Sequence, residues 1–498
     1  MNKFYITTPI YYVNASPHIG HSYTCIAADA LARQMRQKLG GGNVWFLTGS
    51  DEHGQKIQKA ADEAKLSPQE FVDRTVSQFK DLWNKLDISF DDFIRTTESR
   101  HIKTVRAALE ILFRNGDIYE DKYEGWYCTP CETFWTEGQL SGNCCPDCQR
   151  PVERISEVNY FFKLSRYQEW LAGYIEAHPG FIRPEIRRNE VLSFLKLNKL
   201  TDLCISRPRE RLSWGIELPF SPRHVTYVWF DALINYISAV GEFNANGQYE
   251  SKWWGADTEV VHLVGKDILR QHAVYWPIML KALGIRLPDT VFAHGWWMID
   301  ESKMSKSRGN VVSPVEMAEK FGIDTYRYFL LRDVPFGLDG NFSQAAIIKR
   351  FNGDLANDLG NLVYRTLTMI EKYFQGAVPE MGRLDTQGEK ISDSVKAMPG
   401  EIDLTGRQNY NFGIMLEGVW GRINMANKYI EETKPWNLAK ENKQEELKSF
   451  IRLLVEVIRA TAEAIYPVMP QTAGLIREQI SGSTIKKGQP LFPRIETG

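Results

Sequence analysis

Long apolar runs are missing from this chain. No stretch of about eighteen apolar residues occurs, so a membrane-spanning helix is not expected. Net charge is almost absent too: 60 Lys and Arg stand against 62 Asp and Glu, leaving −2 at neutral pH. That excludes a surface that attracts nucleic acid as a whole. Any RNA contact must come from local basic patches, such as Arg33–Lys38, Arg183–Arg188 and the segment around Lys303. Internal repeats and low-complexity segments are absent, and 43% hydrophobic with 24% charged residues is ordinary for globular domains. Nothing resembling a secretion or transit segment precedes the strand-like Phe4–Thr8, so a cytoplasmic location is the expectation. Cysteine is scarce outside one cluster. Of seven, only Cys25 and Cys204 lie outside residues 128–148. Clustering without a secretion signal points to metal rather than disulfides.

The order of elements sets the fold class. After Phe4–Thr8, a helix is expected from about Gly20 to Leu39, closed by Gly40-Gly41-Gly42. Its Ala27, Ala28, Ala30 and Ala32 permit close packing on a sheet. Asn43–Thr48 reads as a short buried strand, and residues 49–54 as the loop after it. Such a unit implies a parallel sheet with its ligand at the C-terminal strand ends. Helices are expected to about Asn115. After an interruption, strands resume at His224–Phe230, Val260–Val264 and Thr290–Gly295. Ser313-Pro314-Val315-Glu316 reads as a capping box, and Gly322 closes its helix. From about Phe351 to Ser481 apolar residues recur at helical period, as in Phe450, Ile451, Leu453, Leu454, Val457 and Ile458. The expected architecture is α/β: a Rossmann-like parallel-sheet domain (1–115 and 224–295) split by an insertion (116–223). A loop region (296–350) and an all-α bundle (351–498) follow.

Three groups of residues suggest chemistry. In His18-Ile19-Gly20-His21 the histidines lie three apart, on one face of a first helical turn. Ring nitrogens there can donate to phosphate oxygens beside the positive helix end, and Gly20 lets a nucleotide approach the backbone. Lys303-Met304-Ser305-Lys306-Ser307 is a small, polar loop whose two lysines can clamp a triphosphate. Cys128-Thr129-Pro130-Cys131 and Cys145-Pro146-Asp147-Cys148 form two hooks with thirteen residues between them. That spacing suits one tetrahedral structural Zn²⁺, with Cys144 as a competitor to Cys145.

The ordered pair of His and Lys motifs resembles the signatures of class I aminoacyl-tRNA synthetases. Eight blocks resemble the methionyl-tRNA synthetase family: Thr8–His21, Phe46–Ile57, Ile205–Arg207, Tyr227–Tyr236, Val264–Pro277, His294–Asn310, Leu355–Arg365 and Tyr429–Trp436. The resemblance implies ATP with Mg²⁺, methionine and tRNA(Met) as ligands. It implies ATP contacts from His18, Gly20, His21, Gly265, Asp267 and Lys306, with Lys306 steadying departing pyrophosphate. For methionine it implies Asp51 against the ammonium, Ile10 and Tyr12 facing the sulfur, and a wall of Trp229, Ala232, Leu233, Tyr236, Ile268 and His272. Arg207 matches a position near that pocket, and Leu233 replaces a proline of some relatives. For the anticodon it implies Asn357, Asn361, Arg365, Pro435 and Trp436. The tail after the bundle is short, so a monomer is expected.

Three other readings compete, one of them a small-molecule nucleotidyltransferase that would share only His18–His21 and would not need the helical bundle. Another class I synthetase, for isoleucine, valine or leucine, would carry a large editing insertion, whereas this one holds the cysteine hooks. A catalytically silent, zinc-containing RNA-binding protein would have no use for His18, His21, Asp51 and Lys306 together.

Overall fold

The computed structural model describes every residue except 1, 15, 130–132, 136, 147, 300–301, 304–311, 407–408, 483 and 497–498; of 123, 133, 134, 299, 302 and 303 it describes the backbone alone. The chain divides into two compact units. One comprises Met1–Ala28, Met35–Asn84 and Ile88–His294; the other comprises Asp29–Gln34, Lys85–Asp87 and Gly295–Gly498.

A seven-stranded parallel sheet organises the first unit. From one edge, Asp92–Arg95 is followed by Val44–Asp51, Lys3–Thr7, Thr258–Gly265, Thr290–His294 and Ile182–Arg183. Tyr11–Tyr12 pairs with the end of Val44–Asp51, setting Tyr12 opposite Asp51. The central strands bury nearly every side chain, as parallel strands covered on both faces must. The chain starts in the middle and builds toward one edge; it then forms the opposite edge strand, Ile182–Arg183, before Thr258–Gly265 and Thr290–His294 fill the space between. The reversal falls between Lys3–Thr7 and Thr258–Gly265, where open α/β sheets bind ligands beyond their C-terminal strand ends.

The insertion adds antiparallel pairing. Ile118–Cys128 and Glu153–Phe162 form a long ribbon, flanked by Thr133–Trp135 and Leu203–Cys204. Ile118, Tyr160, Phe162 and Leu164 join the main core of the unit, while Cys128, Trp135 and Cys145 form a small core of their own.

The expected strand His224–Phe230 is corrected. The strand is Ser221–Thr226, antiparallel to Ser206–Pro208 and outside the parallel sheet. Val228–Leu233 is a helix, with a further turn over Asn235–Ser238. The β-branched and aromatic run misleads because burial, not backbone preference, is what such residues report.

The second unit is helical apart from a small sheet of Trp297–Ile299, Ser302–Lys303 and Gly340–Asn341. Ser313 caps Pro314–Phe321 by accepting from the Glu316 N–H, as expected, and Gly322 (φ 87°) closes that helix. Gln444–Ile465 is strongly amphipathic. It buries Leu447, Phe450, Ile451, Leu454 and Ile458, each worth about 1.5–3 kcal/mol when removed from water. Arg327, on the helix Ile323–Arg332, is wholly buried and makes four hydrogen bonds: it donates to Asp29 Oδ2 (2.5 Å) and to the carbonyls of Val468 (2.8 Å), Pro467 (3.1 Å) and Leu86 (3.2 Å).

Candidate active site

The helix Ile19–Leu39 opens on His18 in extended conformation. His18 Nδ1 accepts from the Gly20 N–H at 3.1 Å, and His21 Nδ1 accepts from the His18 N–H at 3.1 Å. This reciprocal cap satisfies backbone donors that a helix start leaves open. It also fixes chemistry. With both Nδ1 atoms accepting, a neutral ring carries its hydrogen on Nε2, a donor suited to a phosphate oxygen. The rings stack at 3.9 Å, and Tyr11 and Phe79 pack on His21. A side chain at position 20 would press within 3.0 Å of His18 Cε1. Further along, Thr24 Oγ1 meets His294 Nε2 at 2.7 Å.

On the other side of the sheet reversal, Thr258–Gly265 ends in the turn Lys266–Ile268. Gly265 pairs with His294, and a Cβ on Gly265 would collide with Asp267 Oδ1 at 2.5 Å. The expected ATP contacts Gly265 and Asp267 therefore sit at a C-terminal strand end, as His18 and His21 sit just beyond another.

Asp51 ends its strand, 2% exposed, beside half-buried Tyr12. Gly49, two residues earlier, lies where a Cβ would come within 2.2 Å of the Ile94 carbonyl and 2.9 Å of the Ile10 side chain, so only glycine fits. Trp229, Ala232, Leu233 and Tyr236 now read as a stripe of one helical face at spacing i, i+3, i+4, i+7. Trp229 is half-buried; Ala232, Leu233 and Tyr236 are buried. His272 is buried on a π-helical turn, Gln271–Tyr275. Its Nδ1 lies 2.8 Å from the Ile268 carbonyl, so Nδ1 carries the hydrogen, and Nε2 accepts from the Tyr236 hydroxyl at 2.6 Å. Burial pushes the His272 pKa down to about 4, against the pull of the Ile268 hydrogen bond and Asp267. The imidazole is thus a neutral wall. Arg207 is buried against Glu157 and stacks over the Tyr127 ring at 3.8 Å.

Reading the sequence did not find a buried network around Asp231. Its Oδ2 lies 2.7 Å from His53 Nδ1, and its Oδ1 lies 2.7 Å from His101 Nε2. Burial raises the carboxyl, but the His53 charge and hydrogen bonds from both rings outweigh it and hold it at about 2. The available signal was a lone acid inside the apolar run Val228–Leu233, which demands a partner.

Cys128, Cys145 and Cys148 bring their sulfurs within 4.8 Å of one another, a group able to hold a metal ion. Cys145 is fully buried, and Cys144 is not part of the group. Cys131 lies outside the described residues, as does Lys306; of Lys303 only the backbone is described.

In the helical unit, Asn357 is exposed on a π-helical segment, Phe351–Gly360, that runs on into Asn361–Phe374. Asn361 is exposed too, and Arg365 pairs with Glu431 at 2.6 Å. Glu431 lies near the end of Phe412–Thr433, just before Pro435 and Trp436 open the next helix. Pro435 is buried, but Trp436 is 40% exposed rather than a core residue. Among the described residues, no helix is long and apolar enough to cross a membrane.

Comparisons with known proteins place the chain in a family. The family model described as tRNA synthetases class I (M) matches residues 4–158 and 150–367. A methionine--tRNA ligase of Caldanaerobacter subterraneus subsp. tengcongensis is 50% identical over 512 residues, covering 99% of this chain and 79% of the relative. The methionine--tRNA ligase of Bacillus subtilis is 45% identical over 526 residues, covering 99% and 78%. The solved structure of Mycobacterium tuberculosis methionyl-tRNA synthetase in complex with methionyl-adenylate superimposes with a TM-score of 0.92 at 39% identity, covering 99% of this chain and 100% of that one. Matches of this extent and identity show that the chain belongs to the class I tRNA synthetases of the M family.

Proposed function

We propose that the chain activates methionine with ATP and transfers it to tRNA(Met), as a methionine--tRNA ligase. One observation carries this reading. The capped histidine pair, the Gly265–Asp267 turn and the Asp51–Tyr12 pair all lie at the C-terminal ends of one parallel sheet, around its reversal.

The chemistry follows from the groups present. Asp51 takes the substrate ammonium. The methionine carboxylate is already ionised, its pKa being about 3.3–3.7, so no general base is needed. Its oxygen forms a bond to the α-phosphorus of ATP as the bond to pyrophosphate breaks. Negative charge spreads over phosphoryl oxygens, and the Nε2 hydrogens of His18 and His21 with the helix N-terminus face it. Lys303 and Lys306 clamp the departing pyrophosphate. Mg²⁺ bound with ATP supplies further charge neutralisation. A terminal tRNA hydroxyl then attacks the adenylate carbonyl and releases AMP.

The side chain meets Ile10, Tyr12, Trp229, Ala232, Leu233, Tyr236, Ile268 and His272. An unbranched thioether suits such an aromatic-lined wall through sulfur–aromatic contact. The three gathered cysteines, with Cys131 of the first hook as a fourth, would hold one structural Zn²⁺, an ion that thiolate donors fit. Asn357, Asn361, Arg365, Pro435 and Trp436 read the anticodon, the exposed indole offering a stacking face for an unpaired base. A monomeric cytoplasmic enzyme is the corresponding expectation.

Exchange of radiolabelled pyrophosphate into ATP, measured with each of the twenty amino acids, tests this. Exchange with methionine above all others is expected. Exchange supported best by isoleucine, valine or leucine would replace the reading with that of another class I enzyme.

A further inference from the structure

Two ends of one small substrate must be met by two different elements here. On the reading proposed above, Asp51 takes the ammonium and the Val228–Ser238 helical turns take the thioether. Asp51 sits on a strand end and the wall on two short helices, 178 residues later in the chain. Discriminating one side-chain length from another requires that the separation of these elements be fixed.

The Asp231 network spans that gap. His53 lies two residues beyond Asp51 and bonds Asp231, on the same short helix as Trp229, Ala232 and Leu233. His101, from the helix Ser99–Arg114, bonds Asp231 with Nε2 and Ser238 Oγ with Nδ1 at 2.8 Å. It therefore ties together the two helical turns, Val228–Leu233 and Asn235–Ser238, the second of which carries Tyr236. All three polar groups are buried: Asp231 and His101 are wholly inaccessible and His53 is 5% exposed.

The Asp51 loop is also fixed from its other side. The Glu52 carboxylate receives Arg95 Nε (2.6 Å) and NH2 (2.9 Å), Thr97 Oγ1 (2.6 Å) and Ser50 Oγ (2.5 Å). Trp214 Nε1 donates to the Glu52 carbonyl at 2.5 Å, its ring packs on His53, and Gly54 turns the chain with φ 106°. The loop is therefore held at Glu52 by strand-end groups and at His53 by the pocket wall.

We propose that His53, through Asp231 and His101, is a specificity-determining positioning residue that sets the separation between the ammonium site and the thioether wall. None of the three need touch substrate. Rigid outer groups of this kind hold contacting side chains within the tolerance that recognition demands.

The test uses the full-length chain in methionine-dependent pyrophosphate exchange. His53→Leu removes the hydrogen bond at similar volume; His53→Asn keeps an amide donor near the position of Nδ1. His53→Leu is expected to raise the methionine KM by about tenfold or more, the effect of losing a hydrogen bond to a charged acceptor. The ATP KM should stay within about twofold, and the preference for methionine over norleucine in kcat/KM should shrink. His53→Asn should restore most of the preference. An unchanged methionine KM and preference in His53→Leu overturns the proposal. So does a parallel rise of both KM values, or failure of His53→Asn to rescue. If His53→Leu does not fold, Ser238→Ala decides, since it removes the outermost hydrogen bond of the network and, besides it, only the hydroxyl's 3.3 Å bond to the Asn235 carbonyl: a methionine KM raised about fivefold supports the proposal, and an unchanged one overturns it. Failure of the underlying pocket reading is distinguishable. It would show as absent methionine exchange in the unaltered chain, or as a methionine KM indifferent to Trp229→Ala.

Discussion

The crevice at the sheet reversal and the polar helical face around Trp436 handle polar side chains in opposite ways. In the crevice, functional groups are buried or half-buried and bonded to one another. His18 and His21 cap each other's backbone, Tyr236 holds His272, and Asp231 is gripped by two imidazoles. On the helical face, Asn357, Asn361 and Trp436 are exposed. The difference matches the proposed ligands. A small amino acid offers few atoms, so the protein must supply geometry in advance, in a dry site where each hydrogen bond counts for more. An unpaired RNA base brings its own stacking surface and edges, so solvent-facing side chains suffice.

Mutations can sharpen this contrast, beginning with the largest expected effect. Arg327 is an exception in the helical unit, a buried polar side chain with crevice-like bonding. Arg327→Met leaves the buried Asp29 carboxylate with Arg33 (2.7 Å) as its remaining ion-pair partner and takes a donor from the carbonyls of Val468, Pro467 and Leu86, so it should lower unfolding stability by about 3–5 kcal/mol in denaturant titration. A loss below about 1 kcal/mol would show that burial there does not carry the same weight. Asp51→Ala comes next. Loss of a buried charged partner costs about 2–5 kcal/mol, so methionine activation should fall roughly 30- to 4,000-fold in pyrophosphate exchange. Unaltered kinetics would remove Asp51 from the ammonium site. Trp436→Ala should leave exchange intact but slow tRNA charging about 5- to 140-fold, one stacked base being worth about 1–3 kcal/mol. Equal loss in both assays would move Trp436 out of the RNA face.

The smallest expected effect is a pH dependence. His272 is held at about 4 against an ordinary 6.5. Between these values the unfolded chain takes up a proton that the folded chain refuses. Its contribution to stability is therefore complete above 6.5 and is lost as pH falls toward 4. Above pH 6.5 the methionine KM should show no titration from this ring. A step in KM near neutrality that disappears in a His272 variant would contradict the neutral wall.

Local signals were legible in the sequence and long-range ones were not. The histidine cap uses residues three apart, and the Ser313 cap and Gly322 stop are equally local. The parallel sheet followed from alternation, although the four-residue strand Asp92–Arg95 lay inside a stretch expected to be helical; so short a strand is specified by pairing with Val44–Asp51 rather than by its own pattern. The wall residues were identified through family resemblance, yet Trp229 fell within the expected strand His224–Phe230, because Val225 to Phe230 is rich in residues that suit either buried state. The Asp231 network joins residues 130 and 178 positions apart, and no local pattern encodes such a pairing. Cys145 over Cys144 followed from hook spacing, and burial agrees.

The most direct measurement is a crystal structure of the chain grown with methionine and a non-hydrolysable ATP analogue. The ammonium is expected within hydrogen-bonding distance of the Asp51 carboxylate, and phosphate oxygens are expected to face the Nε2 atoms of His18 and His21. A ligand pair bound elsewhere, or an amino acid turned with its side chain toward Asp51, would contradict it.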